Sequence, residues 1–95
     1  MVIGVLRLGL HLEGVASLKE KRGVVQRILG RCRNRFPVSA AEVDDQDCWQ
    51  SAVLGFAVIS TSEPVVAPIL ERLELHVESL GLAEIVSADV EFIHL

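Results

Sequence analysis

Apolar residues recur along this chain at two spacings, and the alternation between them divides it into elements. Val2-Ile3-Gly4-Val5-Leu6-Arg7-Leu8-Gly9-Leu10-His11-Leu12 has a period of two. Val2, Leu6, Leu8, Leu10 and Leu12 fall on one face of a strand, and Ile3, Val5, Arg7 and His11 on the other. The purely aliphatic face is the predicted core face. At Ser17-Leu18-Lys19-Glu20 the chain has the S-x-x-E form of a capping box, in which hydroxyl and carboxylate satisfy N–H groups at a helix start. The period then becomes helical: Leu18, Val25, Ile28, Leu29, Cys32 and Phe36 share one arc, and Pro37 ends the helix by pushing its predecessor out of helical geometry.

A short strand is predicted over Val38 to Val43, broken by Asp44-Asp45-Gln46-Asp47, after which Asp47-Cys48-Trp49-Gln50 has the form of a single capped helical turn. Ala52 to Ser60 is apolar throughout except at Gly55 and Ser60, the pattern of a central strand covered on both faces. Ser62-Glu63-Pro64 opens a second helix, in which Val66, Ile69, Leu70, Leu73, Val77 and Leu80 repeat at helical spacing until Gly81. Pro68 inside it predicts a bend or a later true start, since its ring removes one hydrogen bond and crowds a carbonyl. The last strand runs over Ile85 to Leu95, with Val86, Ala88, Val90 and Phe92 on one face and Asp89, Glu91 and Ile93 on the other.

The order β-α-β-β-α-β, with two amphipathic helices, predicts a single α+β domain over residues 1–95. Its fold class is the ferredoxin-like plait, a four-stranded antiparallel sheet with both helices on one face. The other sheet face then carries Ile3, Val5, Val53, Ala57, Ile59 and Ile93, too apolar to face water as one patch. A homo-oligomer formed through that face is the simplest cover.

Composition sharpens this picture. The first apolar run is interrupted by Arg7 and is shorter than the ~20 residues of a membrane span, so a cytoplasmic location with no membrane partner is expected. Cys32 and Cys48 have neither metal nor disulfide spacing and read as reduced thiols. The three histidines share no metal spacing and have no nucleophile to pair with. No catalytic residue, metal site or cofactor is therefore assigned. The acidic loop at Asp44, Asp45 and Asp47 lacks the glycine and alternating ligands of a calcium loop and reads as turn chemistry. Trp49, the only tryptophan, reads as an anchor of that turn in the core.

Charge is unevenly placed. Residues 1–41 carry eight Lys or Arg against two Glu, and residues 42–95 one Arg against eleven acids. Lys19, Lys21 and Arg22 crowd a helix N-terminus, where the dipole favours negative charge, and Lys21 falls inside the apolar arc. With the nearby Arg33 they form the candidate RNA- or anion-binding set. The competing reading pairs these cations with Glu63, Glu71, Glu74 and Glu78 of the second helix, within one chain or across a dimer. With 4 % aromatics and no tyrosine, base stacking by the sheet is not expected, although Leu54 to Ile59 partly follows the RNA-recognition-motif pattern.

Two segments carry a resemblance. Ser17-Leu18-Lys19-Glu20-Lys21-Arg22, and the stretch from Arg33 through Glu42-Val43 to Gln46-Asp47-Cys48-Trp49-Gln50, resemble the bacterial YlxP-like family nearly end to end. The resemblance implies the plait fold and no catalytic residues. It also implies an association with ribosome maturation, since such proteins are often encoded near translation-initiation and ribosome-maturation genes. Three functions stay open: a non-enzymatic RNA- or ribosome-associated module, a protein-interaction or dimerisation module with paired charges, and an enzyme acting on a phosphorylated small molecule. No DNA partner is expected.

Overall fold

The computed structural model of the protein describes residues 1–95. Its elements are β1 (Val2–His11), α1 (Leu18–Arg35), β2 (Ser39–Asp44), β3 (Ser51–Ser60), α2 (Glu63–Ser79) and β4 (Glu84–His94). The strands form one antiparallel sheet in the order β2-β3-β1-β4, the ferredoxin-like plait. The local signals explain the boundaries. Ser17 Oγ accepts from Glu20 N at 3.1 Å while Glu20 Oε2 accepts from Ala16 N at 3.2 Å, a capping box displaced by one residue on the return bond. Phe36, before Pro37, is extended and ends α1. Gly81, with φ +65, closes α2 in a left-handed conformation that glycine adopts without strain.

The core lies between the helices and the inner faces of β1 and β3. Leu6, Leu8 and Leu10 of β1, Leu54, Phe56 and Val58 of β3, Val25, Ile28 and Leu29 of α1, and Val66, Leu70 and Leu73 of α2 are all buried. α2 approaches β1 closely because Gly4 has no side chain: a Cβ there would lie 2.1 Å from Val66 Cγ1. Pro68 neither delays nor interrupts α2, which runs continuously from Glu63. Ser62 makes no side-chain cap bond, so an early proline and Glu63 carry that helix start.

Two bulges revise the expected strand faces. In β4, Ser87 pairs Gly9 and Ile85 pairs Leu10, leaving Val86 without a partner, 62 % exposed and off the core face. In β2, Glu42 pairs Leu54 and Asp44 pairs Val53, so Val43 is the extra residue. Its Cγ1 would stand 3.0 Å from a Cβ on Gly55, so it lies over the gap that glycine leaves. No turn of helix forms at Asp47–Gln50, which is an irregular loop. Ala88 and Val90 face the core side opposite Leu8 and Leu6 yet are exposed, because the helices do not extend over this edge strand.

The outer face of β3 is not covered within the chain: Val53 and Ala57 are half-buried and Ile59 is exposed. Gly4→Ala is expected to destabilise the fold by about 1 to 3 kcal/mol through overpacking against Val66. Denaturant melts of Gly4→Ala and Gly4→Ala/Val66→Ala measure this, and the second substitution should recover part of the loss.

Candidate nucleic-acid interface

The four candidate cations separate into different roles. Lys21 is 1 % exposed, the only charged residue buried in the chain. It projects from the apolar arc of α1 under the β2–β3 loop, where its Nζ donates to Asp45 O and lies 2.9 Å from Glu42 Oε2. The Glu42 contact is ionic but not aligned as a hydrogen bond, so the carbonyl takes the directional bond and the carboxylate the charge. A buried ammonium is costly unless paired in this way. Lys21 is therefore turned inward as a brace and does not belong to the surface set. Lys19 and Arg22 are exposed and make no ion pair. Arg33 is exposed and donates one N–H to Ala40 O of β2.

The loop that Lys21 braces is held by further bonds. Asp45 takes φ 61, and its Oδ2 accepts from Ser51 Oγ at 2.7 Å. Arg7 pairs Asp44 at 3.3 Å. Gln50 joins the loop to the β1–α1 connection, donating to Val15 O at 3.2 Å and accepting from Leu12 N at 2.9 Å. The acidic residues thus serve turn geometry, and no three His, Cys, Asp or Glu side chains converge as a metal cluster. Within this tethered loop Trp49 is 53 % exposed, and the expectation of a core anchor is corrected. Its loop sits at the end of the molecule where α1 begins, because the bonds of Lys21 and Gln50 join the two segments.

Internal pairing of α1 with the acids of α2 does not occur. The chain has three ion-pair contacts, Arg7–Asp44, Lys21–Glu42 and His94–Glu63. Glu71 and Glu74 line a groove beside Val90 and Phe92, so the acidic stripe of α2 looks toward β4 and away from α1. Cys32 is fully buried, and desolvation pushes its thiol up to about 11, which leaves it protonated and unreactive at neutral pH. No helix is long and apolar enough to cross a membrane.

A family model described as "Protein of unknown function (DUF503)" matches residues 3–90. The chain belongs to this family. The uncharacterized protein YlxP of Bacillus subtilis is 43 % identical over 63 residues, which cover 66 % of this chain and 68 % of that protein. Among solved structures, the de novo designed protein Foldit4 superposes with a TM-score of 0.57 at 15 % identity, covering 99 % of this chain and 97 % of its own. The structural-genomics protein YJCS gives 0.54 at 11 % identity, covering 97 % and 99 %. These likenesses show the plait and nothing of function. In this DUF503 protein the two segments that resemble YlxP-like sequences meet in space, since Lys21 of the first bonds Glu42 and Asp45 of the second.

Lys21→Ala is expected to cost about 3 to 5 kcal/mol, because it leaves Glu42 uncompensated and opens a void under the loop. Lys21→Met/Glu42→Gln, which removes both charges and keeps the stem, should recover most of that loss in urea melts. A double variant as unstable as Lys21→Ala would locate the contribution in the hydrogen bond to Asp45 O alone.

Proposed function

We propose that this DUF503 protein is a non-enzymatic RNA- or ribosome-associated module that contacts single-stranded RNA at the end where α1 begins. The observation that carries this reading is an exposed Trp49 on a tethered loop at the same end as Lys19 and Arg22, which no carboxylate pairs. Single-strand binding combines cations that follow the phosphates with an aromatic on which a base stacks, and a pre-ordered loop lowers the entropy cost of that stack. Arg33 extends the cationic surface along α1, and Lys21 contributes indirectly by holding the loop.

Trp49 is the only tryptophan and reports directly on this contact. Titration with a 15-nucleotide RNA should quench its fluorescence, with a log-affinity slope against log salt near −2 for about three phosphate contacts. Lys19→Gln/Arg22→Gln should flatten that slope by about one. Trp49→Ala, followed by anisotropy of a labelled RNA, should weaken binding by the ~1 to 3 kcal/mol of one stacked base. As a surface change it should move stability by no more than about 0.5 kcal/mol. Absence of RNA affinity at ~20 mM salt, where charge acts at longest range, defeats the reading.

A second, compatible function is self-association through the outer sheet face. It is favoured by Ile59 at 64 % and Ile93 at 39 % exposure beside half-buried Ile3, Val5, Val53 and Ala57. The same face carries Arg7 opposite Asp89, with Glu91 one register step away, so a two-fold contact between copies sets unlike charges against each other. Light scattering after size exclusion should give about twice 10.4 kDa, and Ile59→Glu should reduce it to the monomer mass. A wild-type monomer at high micromolar concentration with unimpaired solubility rules this out.

A further inference from the structure

The groove between the helices, away from the loop of Trp49, gathers basic groups with no acid among them. Arg31 and Arg35 stand four residues apart on α1, and Arg72 and His76 four apart on α2. Arg35, Phe36, Arg72, Leu75, His76 and Ser79 line a cleft of about 360 Å³. The His76 ring meets Phe36 edge-on at 5.5 Å, and its Nε2 is shielded from solvent with no hydrogen-bond partner. Burial, then Arg35, then Arg31 hold the imidazole below its ordinary pKa of 6.5. Ser79 Oγ donates to His76 O at 2.7 Å. None of the three arginines has an ion-pair partner, and α2 turns its Glu71 and Glu74 toward β4. Like charges four apart on a helix repel, so this arrangement is unfavourable until an anion enters it.

The geometry points to the α1–α2 cleft, with Arg31, Arg35, Arg72 and His76, as a binding site for a phosphate monoester. A monoester brings nearly two charges and three acceptor oxygens, matching several guanidinium forks at once, whereas a backbone phosphodiester brings one charge and is served by scattered surface cations. The apolar walls Phe36 and Leu75 exclude water on one side and strengthen each charged hydrogen bond. Phosphate in the cleft offsets the cations around His76 and supplies an acceptor for its protonated ring. The same chemistry is presented by a 5′-phosphorylated RNA end and by a phosphorylated small molecule.

The test uses inorganic phosphate on the whole protein, with ionic strength held constant by chloride and the His76 ring followed by NMR, its signals assigned with His76→Gln. Saturable shifts are expected, with the His76 pKa moving up by about one pH unit. Phosphate should also raise the melting temperature of the wild type. Arg35→Gln/Arg72→Gln should lose both responses while melting no lower than the wild type in chloride alone, since it relieves repulsion. Unmoved His76 signals up to ~20 mM phosphate overturn the inference, whatever the RNA titrations show. A second arm compares 3′-labelled RNAs carrying a 5′-phosphate or a 5′-hydroxyl. Roughly tenfold preference for the phosphorylated end, lost in the double arginine variant, identifies the source as RNA. Equal binding of the two RNAs beside an intact phosphate response identifies it as a small phosphorylated molecule. Because Lys19→Gln/Arg22→Gln leaves the cleft untouched, failure of the Trp49 contact and failure of the cleft are read separately.

Discussion

Two helices can cover only one face of a four-stranded sheet, and in this protein they cover little more than three of the strands. That constraint organises the molecule. The inner faces of β1 and β3 supply most of the sealed sheet core, and Gly4 lets α2 settle directly on β1. Beyond that reach, Val90 and Ala88 of β4 remain exposed although they point to the helix side, and the whole outer face stays open. The exposed apolar area follows from the count of layers, since the central strands are apolar on both faces while the chain supplies cover for one.

Within that frame a single ammonium group determines what the basic N-terminal half presents to solvent. Lys21 is spent on Glu42 and Asp45, which ties the first turn of α1 to the β2–β3 loop. Buried ion pairs add little net stability compared with an apolar pair, yet they discriminate sharply between one arrangement and its neighbours. Here the discrimination fixes a loop that holds Trp49 outward, with Lys19 and Arg22 exposed at the same end. A buried lysine thus acts on a surface site through position alone.

The remaining charge is separated between elements. Cations lie along α1 and at Arg72, while the acids of α2 look toward β4 and join Asp89 and Glu91 on that side. Such a separated field steers charged partners to one side of a molecule even when its net charge is −4. The plait itself favours no activity over another, so any function rests on where these particular side chains stand.

Element order, the inner faces of β1 and β3, the caps at Ser17 and Gly81 and the stop at Pro37 were all legible in the sequence, because periodicity and capping are relations between residues a few positions apart. The apolar outer face was legible for the same reason. Other features depended on residues distant in the chain. Lys21 in the apolar arc looked like one of three surface cations, and only the arrival of Glu42 and Asp45 turned it inward. Trp49 read as a core anchor by its size, but its loop is held by polar bonds from β1, α1 and the β1–α1 connection, and the core is filled without it. The bulge at Val86 is a property of register against β1, and the outward turn of α2's acids a property of how that helix rotates on the sheet. Local sequence determines which face of an element is apolar, whereas the tertiary packing decides what each polar residue meets, because its partners come from elsewhere in the chain.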